Sequence, residues 1–138
     1  MRRILTALSA AASAAALLAA PASAWAIDAN FLDGQWNGSY TCNGQETFLR
    51  LELDGDREGN VTGSFQFHPF GDESGPEGAY EISGEINQTW YMELRGSGWI
   101  EQPEGFRMVD LHGVVQQGGV FSGTVFDAAC STFRVEHR

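Results

Sequence analysis

The chain repeats one five-residue pattern five times: a glycine with a bulky apolar residue two positions away on each side. The five units are Trp36–Tyr40, Val61–Phe65, Ile82–Ile86, Leu111–Val115 and Phe121–Val125. Because strand side chains alternate faces with period two, each central glycine faces the same buried side as its two apolar neighbours. A glycine there weakens a strand unless the geometry needs it, for coiling at a barrel corner or for close approach of another backbone or a ligand. The pattern therefore predicts an all-β fold and leaves open which of these needs the glycines meet.

Residues 1–24 read as a secretory signal peptide, with Arg2-Arg3, an apolar run of alanine and leucine, and Ala22-Ser23-Ala24 before the cleavage point. Removal of this segment leaves residues 25–138 as a single domain with one hydrophobic core. The apolar run is too short and wrongly flanked for a transmembrane anchor. We therefore expect a soluble bacterial protein that is exported to the periplasm or secreted, with no membrane insertion.

The charge of the exported part is strongly acidic. All eight basic residues are arginines, and once Arg2 and Arg3 are removed, six arginines face eighteen carboxylates, a formal charge of −12. Nucleic acids and anionic membranes require a basic footprint, so neither is an expected partner. The acidity permits a cationic partner, although solubility is the commoner reason for it.

The two cysteines, Cys42 and Cys130, are expected to form a disulfide, because an exported chain with an even cysteine count oxidises them together. Closing a loop of this length stabilises a fold by about 4 to 5 kcal/mol at most. The chain contains no CxxC pair, so the sequence indicates neither a zinc site nor a redox site.

Eight segments alternate apolar and polar residues, and none after the signal shows a helical period over a dozen residues. The predicted strands are Gln35–Cys42, Glu46–Leu53, Asn60–His68, Ala79–Ile86, Thr89–Arg95, Phe106–Gln116, Val120–Phe126 and Thr132–His137. Gly96-Ser97-Gly98 is predicted to end the fifth strand, with a loop over Trp99–Phe106.

Short strands with mostly short connections favour an eight-stranded antiparallel up-and-down β-barrel, which removes its edges by closure. In such a barrel the first strand pairs with the last in opposite directions. Cys42 ends the first strand and Cys130 precedes the last, so a Cys42–Cys130 disulfide would lock the seam. A β-sandwich is the alternative architecture.

The segment Leu32-Asp33-Gly34-Gln35-Trp36 resembles the Gly-x-Trp opening strand of lipocalins and avidins, small secreted barrels of the calycin type. The resemblance implies an eight-stranded barrel that closes on its first strand. In lipocalins the tryptophan packs at the barrel base beneath an arginine from near the last strand. The resemblance assigns that role to Arg134 or Arg138.

The likeness to avidins extends to Val61–Phe65 and Tyr80–Gly84, which look like the third and fourth strands of that family. Gly38 stands where avidins place a polar ligand contact, and Phe65 stands where they place a tyrosine, so the resemblance implies barrel and export rather than biotin binding. In the second half, Trp99–Val109 looks like a segment of small exported bacterial domains of uncharacterised function.

Aromatic residues on the inward faces are the candidates for a ligand site at a barrel mouth, since small-molecule sites have aromatic walls with a few polar groups. The candidates are Trp36, Tyr40, Phe65, Phe67, Tyr80, Trp90 and Phe121. The same rings could instead fill the barrel. Our leading hypothesis is a non-enzymatic binding protein that captures a small apolar or aromatic molecule.

Three aromatics in predicted loops, Phe70, Trp99 and Phe106, are candidate anchors for an envelope or extracellular protein. They support the alternative hypothesis, a periplasmic inhibitor of a protease or lysozyme, or another interaction module, whose acidic surface complements a basic enzyme. A competing role for Trp99 is to plug the barrel end.

Motifs for metal binding or catalysis are weak. His68, His112 and His137 lie on separate strands without ligand spacing and read as solvated histidines. Asp54–Gly59 opens like a calcium loop, but Phe65 stands where the final carboxylate is required, so a plain turn is favoured. The chain has no Gly-x-Ser-x-Gly elbow. We predict no metal, no cofactor and no enzymatic activity.

Overall fold

The computed structural model describes residues 27–71 and 75–138, so the predicted signal peptide lies outside the described residues. A single-turn 3₁₀ helix, Asn30–Leu32, precedes eight strands. The strands are β1 Gly34–Cys42, β2 Gln45–Gly55, β3 Asn60–Pro69, β4 Gly78–Ile86, β5 Tyr91–Glu101, β6 Asp110–Gln116, β7 Val120–Phe126 and β8 Cys130–His137. Within the described ranges, no helix has the length and apolarity needed to cross a membrane.

Each strand pairs antiparallel with the next, and β8 pairs with β1, which closes the barrel in up-and-down order. The predicted fold is confirmed, and the sandwich alternative is wrong. The disulfide between Cys42 and Cys130 is also confirmed, and these two residues are register partners across the β1–β8 seam.

The up-and-down order sorts the connections between two ends of the barrel. At the disulfide end lie Cys42, Cys130 and the β5–β6 connection, residues 102–109. At the opposite end, which we call the helix end, lie the 3₁₀ helix, the turns 87–90 and 117–119, and the end of β8.

The central glycines of the five repeated units provide room for the backbone of a neighbouring strand. A methyl group on any of them would collide with a carbonyl oxygen of a paired strand. The colliding pairs are Gly38 with Arg134, Gly63 with Glu52, Gly84 with Glu93, Gly113 with Ser122, and Gly123 with His112. Close backbone approach, one of the needs left open by the sequence, is therefore the reason for these glycines.

Strand β5 differs from its prediction at both ends. It begins at Tyr91 rather than at Thr89, and it continues through Gly96-Ser97-Gly98 to Glu101. The β4–β5 register shifts twice, because Ser97 and Ile100 have no partner in β4. The glycines therefore form part of a bulged strand instead of ending it. Trp99 lies in this strand rather than in a loop, and β6 begins at Asp110 rather than at Phe106.

The barrel interior is apolar, as the alternation predicted. Inward residues such as Leu49, Leu51 and Leu94 are fully buried, and no polar or charged residue of the described ranges falls in the buried class. Leu32 of the 3₁₀ helix is also buried, so the helix covers the helix end of the core. Burying apolar side chains stabilises the fold by about 1.5 to 3 kcal/mol each.

Candidate ligand-binding site

Six of the seven predicted ligand-site aromatics point into the barrel and are buried. They are Trp36, Tyr40, Phe65, Phe67, Tyr80 and Phe121. The seventh, Trp90, is 39% exposed and precedes β5, so its predicted inward position is wrong. The structure does not bring the seven into one site: the six inward rings belong to the packed core, and of the seven only Trp36 and Trp90 line a common cavity at the helix end.

Four of these rings pack together toward the disulfide end. Phe65 stacks on Tyr80 with ring centroids 4.5 Å apart, and Tyr40 meets Phe65 edge-on at 5.4 Å and Phe67 at 6.5 Å. The Tyr80 hydroxyl donates a hydrogen bond to the Val109 carbonyl at 2.9 Å and accepts one from the Val109 amide at 3.1 Å. This cluster fixes the β5–β6 connection to the core.

Burial changes the chemistry of both tyrosines in this cluster. It raises the pKa of Tyr40 to about 12, since an ionised phenolate would lose its hydration. Burial also raises the pKa of Tyr80, only partly offset by its hydrogen bond to Val109. Both phenols therefore stay neutral into the alkaline range in which an exposed tyrosine begins to ionise.

The three predicted interaction residues differ in their exposure and in their contacts with the core. Phe70 is about half exposed and contacts Phe48 on β2. Trp99 is partly buried against Tyr80 and Phe67, at centroid distances of 5.2 and 6.4 Å. Phe106 stacks on Phe67 at 5.4 Å. Trp99 and Phe106 therefore cover the core at the disulfide end, which is the competing role considered for Trp99.

Trp90 ends the β4–β5 turn in a backbone conformation that is unusual for a bulky residue. Its φ is +65°, in the left-handed region. The turn is held by Asn87, whose carbonyl accepts the Trp90 amide at 3.0 Å, and by Val115, whose amide donates to the Trp90 carbonyl at 2.8 Å. Such a conformation costs about 1 to 3 kcal/mol and persists only where neighbouring contacts impose it. Its result is that the indole lies at the surface beside Phe31.

A cavity of about 270 Å³ opens at the helix end, next to Trp90. Its lining residues are Phe31, Trp36, Trp90, Val115, Gln116, Gln117, Gly118, Gly119 and His137. Phe31 and Trp90 contact each other at 4.9 Å, and each is 39% exposed, whereas Trp36 is only 1% exposed. Two half-exposed rings therefore form the rim of the cavity, and a buried indole contributes to its inner wall.

The inner wall is held in place by His137. Its imidazole stacks on Trp36 at 4.4 Å with the planes 6° apart, and its Nε2 lies 2.8 Å from the Asp33 carbonyl oxygen. Because a carbonyl can only accept, this bond places a hydrogen on Nε2. The Trp36 indole donates to the Leu32 carbonyl at 2.8 Å.

Neither Arg134 nor Arg138 has the role that the lipocalin resemblance implied, since His137 is the residue stacked on Trp36. Arg134 is exposed and pairs with Glu136 at 2.9 Å. His137 is also not a simply solvated histidine, because it is half-buried and holds Trp36 and the Asp33 carbonyl.

The cavity lining contains no carboxylate and no arginine among the described residues, although the chain is strongly acidic. Its polar groups are the amides of Gln116 and Gln117, the imidazole of His137 and backbone groups around Gly118 and Gly119. An apolar wall with a few uncharged polar groups is suited to a small neutral molecule.

Most residues of this site escaped the sequence analysis. Phe31 precedes the first strand, and Gln117-Gly118-Gly119 reads only as a turn. One available signal was the up-and-down order itself, since it places the β4–β5 turn, the β6–β7 turn and the end of β8 beside the segment that precedes β1. Gly-x-Trp then places Trp36 near that same end.

Comparisons of the chain with protein families, with curated proteins and with solved structures find no match. The closed eight-stranded antiparallel barrel is consistent with a calycin-like fold. The function must therefore be argued from the site itself.

Proposed function

We propose that this protein is an exported, non-enzymatic binding protein that captures a small neutral aromatic or apolar molecule at the helix end of its barrel. The observation that carries the proposal is the pair of half-exposed rings, Phe31 and Trp90, beside a cavity of about 270 Å³. The strained backbone at Trp90 supports it, because strain of this kind clusters at ligand clamps and active sites.

The cavity dimensions restrict the ligand. Small-molecule sites span about 300 to 1,000 Å³, so a cavity of about 270 Å³, slightly below that range, suits a molecule of one or two rings. Phe31 and Trp90 would contact the faces or edges of a flat ligand, since aromatic pairs favour offset or edge-on contacts. The amides of Gln116 and Gln117 would orient a hydroxyl, carbonyl or amine on it.

The proposed location is the periplasm or the exterior of a bacterial cell. A Cys42–Cys130 disulfide is compatible with such an oxidising compartment. The sequence of residues 1–24, which reads as a secretory signal peptide, supports export. The resemblance to small secreted barrels of the calycin type supports the same location. We propose that this barrel likewise acts as a carrier that holds its ligand at one end.

A titration with N-phenyl-1-naphthylamine, a neutral fluorophore whose emission rises in apolar sites, tests the proposal. We expect saturable fluorescence enhancement with the native protein. Trp90→Ala and Phe31→Ala should each weaken the affinity for the fluorophore about ten-fold, because each removes one aromatic wall of the cavity. The matched control is Phe126→Ala, which removes an even more exposed ring, 67% accessible, on the outer face of β7. Lack of saturable enhancement, or an equal loss in the control, would refute the site.

The alternative, an inhibitor or interaction module, has one observation of its own: Phe70 and Ile100 remain 51% and 60% exposed. Native mass spectrometry of protein purified from its own host separates the two proposals. A retained small molecule that is absent from Trp90→Ala favours the helix-end site. A retained protein that is lost from Phe70→Ala favours the interaction module.

A further inference from the structure

A second polar groove lies on the outer face of the barrel, near the disulfide end. The register places Arg50, Gln66, Ala79 and Glu101 in one row across β2, β3, β4 and β5, because Arg50 pairs with Gln66, Gln66 with Ala79 and Ala79 with Glu101. Ala79 is the small residue of the row, so the row has a gap between a cationic side and an anionic side.

This gap is part of a groove of about 280 Å³. Besides the residues of the row, its lining includes Phe48, Phe67, His68, Glu77 and Gly78. Gly78 has no side chain to cover Phe67, and an added methyl group there would collide with the Phe67 ring. Phe48 and His68 stack at 4.4 Å and form an aromatic wall beside Arg50.

Arg50 is the unusual residue of this groove. Its Nε is buried and has no hydrogen-bond partner, and its guanidinium forms no ion pair with the described carboxylates. A half-buried arginine without a partner among the described carboxylates is unexpected in so acidic a chain. The Arg50 guanidinium therefore has hydrogen-bonding capacity at the groove wall that the described residues leave unsatisfied.

The opposite wall carries charge of the other sign, which is also unpaired. Glu77 and Glu101 both line the groove, and neither forms an ion pair with a basic group of the described residues. The groove therefore holds a cation and two anions that do not neutralise one another. A molecule that carries both charges satisfies both walls, whereas a simple anion meets repulsion from the carboxylates.

We propose that this groove binds a small zwitterion, with its carboxylate on the Arg50 guanidinium and its ammonium between Glu77 and Glu101. Guanidinium and carboxylate form paired charge-assisted hydrogen bonds, the strongest kind available here. This site is independent of the helix-end cavity, since the two share no lining residue.

The strand spacing indicates which zwitterions fit best. Neighbouring strands lie about 4.8 Å apart, so the backbones at Arg50 and Glu101 are separated by three spacings, about 14 Å along the sheet. A short peptide, whose amino and carboxyl termini are well separated, fits this gap better than a free amino acid does.

Isothermal calorimetry with triglycine and with glycine, together with NMR detection of the arginine Nε–H signals, tests this assignment. We expect triglycine to bind in the millimolar range or tighter and to shift the Arg50 Nε–H resonance. Arg50→Gln should weaken triglycine binding about ten-fold or more, the effect of losing a charged hydrogen-bond donor. Glu101→Gln should weaken the binding of triglycine, because it removes a partner of the ammonium. The same substitution should strengthen the binding of butyrate, because butyrate has no ammonium and its carboxylate is repelled by Glu101.

The matched control is Arg57→Gln, which removes the same charge from an exposed turn outside the groove. Equal binding of glycine and triglycine would identify free amino acids as the ligand source, and stronger triglycine binding would identify peptides. No heat and no Nε–H shift with either probe at millimolar concentration would overturn the assignment. An equal loss in Arg57→Gln would also overturn it, because the effect would then come from net charge alone.

Discussion

The two ends of the barrel use their aromatic residues in opposite ways. At the disulfide end, Tyr40, Phe67 and Tyr80 are almost fully buried, and Trp99 and Phe106 pack over them; Phe106 is 37% exposed, but it stacks on Phe67. At the helix end, Phe31 and Trp90 contact each other but stay 39% exposed beside a cavity. The first arrangement stabilises the closed barrel, and the second leaves ring surface available for a ligand.

This difference shows that burial is required of an aromatic residue on an inward strand position but not of one that lies outside the strands. A ring on an inward strand position must be buried, since the fold loses its stabilisation otherwise. A ring outside the strands, such as Phe31 in the 3₁₀ helix or Trp90 in the β4–β5 turn, has no such constraint, because the barrel core is complete without it. The functional hypothesis therefore rests on Phe31 and Trp90 rather than on the larger buried cluster.

Truncating one ring at each end of the barrel tests this comparison and has the largest expected effect on the free energy of unfolding. Phe65→Ala should lower the free energy of unfolding by about 3 to 5 kcal/mol, because it leaves a cavity in the buried cluster. Phe31→Ala should lower it by less than about 1 kcal/mol, since that ring is already partly in water. Urea unfolding monitored by circular dichroism measures both values. Equal losses would show that the helix end is as structural as the disulfide end.

Alkaline pH should destabilise the disulfide end by a smaller amount. Burial raises the pKa of Tyr40 from 10.0 to about 12, so the folded state holds the phenol proton more tightly than the unfolded state does. The contribution of Tyr40 to stability is therefore complete below pH 10 and is lost as the pH rises toward 12. Its size is about 3 kcal/mol, and the raised pKa of Tyr80 acts in the same direction.

Urea midpoints measured between about pH 9 and pH 11 test this expectation, because ∂ΔG/∂pH reports the difference in bound protons. The Tyr40→Phe variant should show a shallower decline than the native protein. A decline of the same slope in both would assign the alkaline loss to other groups.

The smallest expected change in stability comes from Trp90→Gly. Glycine adopts φ of +65° without strain, so relief of the backbone compensates for the lost Phe31 contact. We expect the free energy of unfolding to stay within about 1 kcal/mol of the native value. Binding of N-phenyl-1-naphthylamine should nevertheless fall about ten-fold.

Thermal unfolding and the fluorescence titration, performed on the same sample, check both parts. A variant that is stable but does not bind would separate the binding role of Trp90 from any structural one. A large loss of stability would instead mean that Trp90 is needed for the fold.

Much of the architecture was predictable from particular residues. The alternation in Ala79–Ile86 and Val120–Phe126 predicted strands because every second residue must be apolar on a half-buried sheet, and both strands were found. The position of Cys42 and Cys130 predicted the seam. The end of β5 was mispredicted, since Gly96 and Gly98 are compatible with a turn or with a bulged strand and only the pairing with β4 decides between them.

The candidate site was less predictable. Trp90 was assigned to the interior because it keeps period two with Met92 and Leu94. The period does not reveal that the β4–β5 turn includes Trp90 and rotates its side chain outward. His137 and Phe31 gave no local signal, because their partners are distant in the chain: Asp33 is 104 residues from His137, and strands β1 to β4 lie between Phe31 and Trp90.

The sequence alone determined that this protein is an all-β barrel sealed by a disulfide, because alternation, turn residues and cysteine spacing are local signals of strands and their order. Only the tertiary structure decided that the five central glycines make room for neighbouring carbonyls, since that contact joins different strands. The helix-end cavity and the unpaired Arg50 were likewise decided only there. Both features arise because residues that are far apart along the chain lie close together in space, and local sequence patterns do not reveal such contacts.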